Sequence, residues 1–117
     1  MKILITIREE NVAPRFDLTL EVLIVELEDQ QVMGTPRTML MSRSSSEELC
    51  ALIIKEGINT VICGGIEESH LQYLDWKKIK VIDSVIGPYS EALKAVNTGL
   101  LKPGVILPGA RRWSAVK

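Results

Sequence analysis

Apolar and polar residues alternate in blocks along the first forty residues and predict three β-strands. Lys2 to Ile7 is apolar on both faces, which is typical of a central strand covered on both sides. Leu20 to Leu27 and Val32 to Met41 are extended segments separated by the polar turn Glu28 to Gln31, so they predict an antiparallel hairpin. The polar stretch before the hairpin, Arg8 to Thr19, predicts a long loop.

From residue 44 onward the pattern changes to alternating helices and strands. Ser44 to Glu48 supplies the residues of a capping box, and apolar residues then recur at helical spacing until Gly57. The same rules predict the following elements: a strand at Asn59 to Cys63, a helix at Glu67 to Trp76, a strand at Ile79 to Ile82, and a last helix from Gly87-Pro88 to Gly99. Beyond Gly99 we expect irregular chain.

These elements predict an α/β domain, with a five-stranded mixed sheet and helices on its faces. We expect the strand order 3-2-1-4-5, with strand two antiparallel to the parallel strands one, four and five. The chain then leaves strand one toward one edge and returns to strand four on the other side, which creates a topological switch point where ligands bind. The loops Arg8 to Asp17 and Gly64 to Ser69 meet there, so we expect the binding crevice between them.

Length and composition fit one globular domain. The chain has 117 residues, of which 46% are hydrophobic and 25% charged, and no apolar run approaches the roughly 20 residues that span a bilayer. The first residues are those of a strand and show no signal-peptide cleavage pattern, so we expect a cytoplasmic protein with no membrane partner. The two cysteines, Cys50 and Cys63, lack the spacing of zinc or redox motifs.

Charge divides the chain into an acidic body and a basic tail. Residues 1–101 carry ten basic and fifteen acidic side chains, whereas residues 102–117 carry four basic side chains and no acid. We therefore expect a domain at 1–101 and a basic, irregular C-terminal tail at 102–117. An acidic body argues against a nucleic-acid-binding protein. Arg111, Arg112 and Trp113 in the tail are a candidate patch for a protein partner.

Several segments in a fixed order give the chain a family resemblance. The opening strand is followed by APRFD, by a hairpin strand ending in VELED, and then by EGINTVICGGI, IKVIDSVIG and EALKAVNTGLL. Over about residues 1–100 the chain resembles the NifX/NifB-type dinitrogenase iron-molybdenum cofactor biosynthesis proteins, which have a ribonuclease H-like three-layer fold. The resemblance implies a non-catalytic protein that binds, carries or stores a molybdenum-containing metal-sulfur cluster. It also implies a partner protein that donates or accepts the cluster.

Two features depart from the common pattern of that family. Asp17 stands where many relatives have glycine after Arg-Phe, and Glu67 to His70 stands where many have a run of small residues. The acids at the start of the helix would repel an anionic cluster. The identity of the cluster, with iron or with copper beside molybdenum, and a role in nitrogen fixation therefore stay open.

The two loops at the switch point supply the candidate cluster-binding residues: Asn11, Arg15, Phe16, Gly64, Gly65 and Ile66. The glycines either bring backbone N–H groups close to an anion at a helix N-terminus or form a turn without a ligand. Arg15 either donates several hydrogen bonds to an anionic cluster or is a solvated loop residue. Phe16 either walls the crevice or anchors its loop to the core. With no dense set of metal ligands, the cluster would be held mainly by non-covalent contacts.

Cys63 and His70 are candidate metal ligands, and each also has an ordinary structural interpretation. A thiolate at Cys63 would bind a soft metal, whereas burial would leave an inert thiol. His70 is the only histidine, and it either reaches the crevice or stays on the surface or in packing. Cys50 lies beside the apolar stripe of the first helix and is expected to pack in the core.

Two other classes of function stay in competition with a cluster carrier. A protein-interaction or regulatory module without a cluster would use the basic tail or the hairpin edge at Val32 to Met41. That edge also offers a surface for a homodimer, because its backbone groups are unpaired. An enzyme based on Cys63 or His70 is disfavoured, since neither has an acid or base at a motif spacing.

Overall fold

The computed structural model describes residues 1–110. Its elements follow in the order β1 (Lys2–Arg8), β2 (Asn11–Val12), a 3₁₀ turn (Phe16–Leu18), β3 (Glu21–Glu28), β4 (Gln31–Leu40), α1 (Ser46–Lys55), β5 (Thr60–Ile62), α2 (Glu68–Trp76), β6 (Lys80–Ile82) and α3 (Tyr89–Asn97). Among the described residues, no helix has the length and apolar character needed to cross a membrane.

The strands form one mixed sheet in the order β4-β3-β1-β5-β6. β1 pairs antiparallel with β3 and parallel with β5, and β5 pairs parallel with β6. This confirms the predicted fold class, and these five strands follow the predicted order 3-2-1-4-5. The predicted count of five strands is wrong, because the two residues of β2 fold back and pair antiparallel with the end of β1.

Both faces of β1 are buried, as its uninterrupted apolar sequence predicts. Ile3 and Ile5 point into a first core cluster that also contains Ala92 of α3, whereas Leu4 points into a second cluster with Leu49 of α1 and Leu74 of α2. Successive side chains of a strand point to opposite faces, so one apolar run serves both layers. The result is a three-layer arrangement, with α1 and α2 on one face and α3 on the other.

The hairpin of β3 and β4 closes through a two-residue turn and leaves β4 at the edge of the sheet. Asp29 and Gln30 both have positive φ angles, of 51° and 65°, which suits a tight hairpin turn. The register of β4 shifts opposite Val25, where Gly34 has a φ of 68° and Pro36 follows. Such irregularities blunt an exposed edge. The homodimer along this edge stays a prediction.

Residues 102–110, the described part of the predicted basic tail, form no helix or strand but pack against the domain. Leu107 is only 5% exposed and belongs to the first core cluster. Ile106 forms an isolated parallel bridge with Ile86. The candidate patch of Arg111, Arg112 and Trp113 lies outside the described residues.

Candidate functional site: a cleft at the switch point of the sheet

A cleft of about 310 Å³ lies beyond the carboxyl ends of the parallel strands. It opens where the chain departs from β1 toward β3 on one side and continues to β5 on the other, which is the topological switch point of the sheet. Three loops line it, with the residues Arg8, Glu9, Asn11, Val12, Pro14, Gly64, Gly65, Ser84, Val85, Ile86 and Gly87. The cleft borders both loops between which the sequence predicts the crevice, and the loop after β6 lines it as well.

The first two loops contact each other directly, with no space for a ligand between them at Arg15. The Gly65 N–H donates to the Pro14 carbonyl oxygen at 2.8 Å, and the Phe16 N–H donates to the Gly65 carbonyl oxygen at 2.8 Å. A Cβ atom on Gly64 would lie 2.3 Å from the Ala13 and Pro14 carbonyl oxygens. The absence of a side chain at Gly64 therefore serves the contact between the loops, and the cleft opens beside that contact.

The third wall of the cleft is the loop after β6. The Ser84 N–H donates to the Gly64 carbonyl oxygen at 2.9 Å, and the Val12 N–H donates to the Gly87 carbonyl oxygen at 2.8 Å. Gly87 has a φ of 131°, a conformation that is costly for residues with a side chain. These bonds tie the three loops to one another around the cleft.

The arginine predicted for the site faces a different environment from the arginine that lines the cleft. Arg15 donates from Nε to Asp17 Oδ1 at 3.0 Å and from Nη2 to Asp17 Oδ2 at 2.6 Å. The hydrogen bond and the charge of Asp17 raise the pKa of Arg15, and the hydrogen bond from Arg15 lowers the pKa of Asp17. Arg15 lines a second cleft, of about 370 Å³, with Leu18 and Leu20. Its charge is largely neutralised within its own loop.

Among the described residues that line the cleft, Arg8 is the basic one, and the sequence alone does not single it out. It is the last residue of β1 and is exposed, and no carboxylate of residues 1–110 forms an ion pair with it. Glu9, the next residue, also lines the cleft and has a φ of 57°. Its position in the sequence is the feature that could identify it, because a basic residue ends the central strand at the switch point.

Phe16 and Ile66 pack inward rather than toward the cleft. Phe16 is 1% exposed and lies in the second core cluster, with Ile66 packed against that cluster. The ring of Phe16 is therefore inaccessible to a ligand and anchors its loop to the domain. This is the alternative to a crevice wall that the sequence left open.

Cys63 is fully buried at the end of β5. Burial, with a smaller contribution from the charge of Asp83, raises the pKa of the Cys63 thiol to about 12. Burial also raises the pKa of the Cys50 thiol, which packs in the second core cluster, to about 11. Both groups are protonated at neutral pH, whereas the thiolate is the form that binds metals.

His70 lies on α2, beside Phe16 and away from the cleft lining. Its ring centroid is 6.4 Å from that of Phe16, and its Nε2 atom is 3.8 Å from Glu67 Oε1. Within residues 1–110, no group of three or more His, Cys, Asp or Glu side chains is arranged to hold a metal ion. Of the predicted site residues, the cleft brings together Asn11, Gly64 and Gly65.

Comparison with known proteins relates the sequence to one family. The family model described as "Dinitrogenase iron-molybdenum cofactor" matches residues 1–99 of the chain. No curated protein matches the chain significantly.

Solved structures share the fold. The protein PH0822 is 24% identical, with a TM-score of 0.80 over 88% of this chain and 94% of its own. A protein of Methanocaldococcus jannaschii named for dinitrogenase is 23% identical, with a TM-score of 0.72 over 92% of this chain and 97% of its own. A Thermotoga protein named for NifB is 16% identical, with a TM-score of 0.68 over 90% of this chain and 95% of its own. At these identities the likeness concerns the fold alone.

Proposed function

Since the chain belongs to the dinitrogenase iron-molybdenum cofactor family, we propose that it binds and carries a molybdenum-containing metal-sulfur cluster as cargo. The observation that carries the proposal is the cleft at the switch point, with Arg8 at its border and no ion pair between Arg8 and a carboxylate of residues 1–110. In this proposal the protein carries the cluster and catalyses no reaction on it. Iron or copper in the cluster, and a protein that donates or accepts it, are parts of the same proposal.

The chemistry of the lining favours non-covalent binding of such a cargo. Among the described residues, the lining contains no cysteine and no histidine, so a cluster in the cleft would receive no thiolate or imidazole ligand from them. The planar guanidinium of Arg8 can donate several hydrogen bonds to sulfide or oxo groups of an anion. The amide of Asn11, which is the register partner of Arg8 in the β1–β2 pair, adds neutral polar atoms to the lining.

Apolar groups make up the remaining walls. Val12, Pro14, Val85 and Ile86 contact the cleft beside the glycine backbone. A pocket with mostly apolar walls and a few placed polar groups is typical of small-molecule sites, and its walls exclude water from the bound ligand. Glu9 opposes an anion in the same cleft, so the position of Arg8 matters more than the total charge.

Reconstitution with a defined anion tests the proposal. Purified protein would be incubated anaerobically with tetrathiomolybdate, alone or with iron or copper, then desalted and analysed for molybdenum. We expect the wild-type protein to retain the metal. Arg8→Ala should weaken retention by roughly tenfold or more, because a hydrogen bond to a charged group contributes about 1.5–3 kcal/mol.

Arg43→Ala is the matched control for Arg8→Ala. Arg43 is exposed and pairs with Glu48 at 2.6 Å, near the start of α1, and it does not line the cleft. Its removal should leave retention unchanged. Arg8→Lys keeps the charge without the planar group and should fall between Arg8→Ala and wild type. Wild-type protein without molybdenum after desalting, or Arg8→Ala equal to wild type, would contradict the proposal.

A further inference from the structure

The segment from Leu101 to Ala110, which we call the C-terminal strap, runs along the outer side of the loop after β6. The Ile86 N–H donates to the Val105 carbonyl oxygen at 3.0 Å, and the Leu107 N–H donates to the Ile86 carbonyl oxygen at 2.8 Å. The Gly104 N–H donates to the Asp83 carbonyl oxygen at 2.9 Å. The strap therefore uses both backbone polar groups of Ile86.

Side-chain packing fixes the strap on the domain at both ends. Leu101 and Leu107 are 7% and 5% exposed and share the first core cluster with Ile82 and Val85. A Cβ atom on Gly87 would lie 2.8 Å from Leu107 Cβ, so strap and loop are in close contact. A Cβ atom on Gly109 would lie 3.4 Å from Pro88 Cγ.

The residues that the strap holds are the residues that form the third wall of the cleft. Val85, Ile86 and Gly87 line the cleft, and Ile86 is 44% exposed. The backbone of Ile86 forms hydrogen bonds with Val105 and Leu107 of the strap, whereas the carbonyl oxygen of the neighbouring Gly87 accepts a hydrogen bond from Val12. If the strap were released, Ile86 would lose its two hydrogen bonds and Gly87 would keep the one to Val12.

The family model ends at residue 99, and the strap begins two residues later. The strap thus lies outside the part of the chain that the family model matches. We propose that the strap belongs to the binding site: it fixes the Ile86–Gly87 wall, and the affinity of the cleft for an anionic metal-sulfur cargo depends on it. The dependence on cargo rests on the function proposed above, whereas the hold on the wall does not.

The test uses full-length chains with single substitutions in the strap. Leu107→Ala removes the apolar anchor, and Leu107→Pro also removes the N–H group that bonds to Ile86. Leu100→Ala is the matched control, because Leu100 is the same residue type and is 72% exposed. Circular dichroism would establish whether each variant is folded. If Leu107→Pro does not fold, Leu107→Ala alone is used for the test.

Two readouts follow from the two parts of the proposal. The amide signals of Ile86 and Gly87 in ¹H–¹⁵N spectra should shift in the Leu107 variants and stay in place in Leu100→Ala. Retention of tetrathiomolybdate should weaken by roughly tenfold in the Leu107 variants and be unchanged in the control.

Each result decides between the parts. Unshifted amide signals in both Leu107 variants would overturn the hold of the strap on the wall. Shifted signals with wild-type retention of molybdenum would overturn its role in binding. If the wild-type protein itself retains no molybdenum, the cargo function fails, and the amide signals then decide the hold on the wall by themselves.

Discussion

Gly64 and Gly65 are adjacent, yet the structure requires only the first of them to be glycine. Neither has a positive φ angle, so backbone strain does not explain either residue. A Cβ atom on Gly64 would collide with two backbone oxygens at 2.3 Å, whereas one on Gly65 would make an ordinary contact of 3.6 Å with the Pro14 oxygen. Alanine substitutions at Gly64 and at Gly65 therefore allow the steric effect of one added methyl group to be compared at two adjacent positions of the same turn.

Gly64→Ala should destabilise the protein, because the backbone of the Arg15 loop must move away to admit the methyl group. We expect a loss of roughly 3 kcal/mol in the free energy of unfolding, the upper part of the range for overpacking. Gly65→Ala should change it by less than about 1 kcal/mol. Urea denaturation followed by circular dichroism measures both variants. Equal losses at the two positions would show that the loop contact is looser than described.

Arg15 and Arg8 show what residue identity alone conveys about a site. The sequence predicts Arg15 because it lies in the loop after β1, but its partner Asp17, two residues further on, neutralises its charge through two hydrogen bonds. Asp17 departs from the family pattern, but the sequence alone does not show that it pairs with Arg15. Sequence gives the type of each residue and its approximate place, whereas pairing depends on side-chain geometry.

Helix α1 is an element whose start the sequence specifies locally. Ser45 has the extended conformation of an N-cap residue, and its Oγ atom accepts a hydrogen bond from the Glu48 N–H at 3.2 Å. Glu47 and Glu48 lie in the first turn, where negative charge favours the helix dipole. The N-cap serine, the acidic residues of the first turn and the helical spacing of the apolar residues thus specify the start of α1 within a few residues.

Ser45→Ala should lower the free energy of unfolding by about 1 kcal/mol, the usual contribution of an N-cap hydrogen bond. The neighbouring Ser44 is exposed and precedes the cap, so Ser44→Ala is the control and should be nearly neutral. Chemical denaturation of the three proteins side by side gives the comparison. An effect at Ser44 as large as that at Ser45 would place the cap elsewhere.

The sequence does not predict the elements whose backbone groups depend on hydrogen-bond partners far along the chain. The order of the five strands β4-β3-β1-β5-β6 and the presence of all three helices follow from periodicity and caps. The two residues of β2 are too few to show a period, and they form a strand because β1 and Gly87 supply partners for their backbone groups. The wall at Ile86 and Gly87 likewise depends on Val105 and Leu107, about twenty residues further along the chain.

At the scale of the whole molecule, the two layers of the core each enclose apolar residues that the strands present on opposite faces. Cys50 and Cys63 are both buried in the layer beneath α1 and α2. Their pKa values of about 11 and about 12 lie above the ordinary value of 9.0, because burial disfavours the thiolate. This difference between folded and unfolded chains links the stability of the entire domain to pH.

The sign of that link follows from proton binding. Above about pH 9 the unfolded chain loses its thiol protons while the folded chain keeps them, so stability falls as pH rises toward the folded pKa values. The limiting slope is about 1.4 kcal/mol per pH unit for each thiol. Urea denaturation under reducing conditions between pH 8 and pH 10 would show that the free energy of unfolding falls less steeply with pH for Cys63→Ala than for wild type. Equal dependence on pH in the two proteins would mean that the Cys63 thiol ionises alike in the folded and the unfolded chain.

The exposed position of β4, at one of the two edges of the sheet, makes the molecule unevenly resistant to opening. Nine of its ten residues are exposed and the tenth is half-buried, and within the described chain its sheet partner is β3 alone. Lifting β4 from the sheet exposes little new apolar surface, whereas opening β1 would break both core layers. Amide hydrogens of β4 should therefore exchange with solvent through a small, local opening, and those of Ile3 to Ile5 only through global unfolding. Native-state hydrogen exchange in low urea would separate the two classes, and the sheet would be seen to unravel from this edge inward.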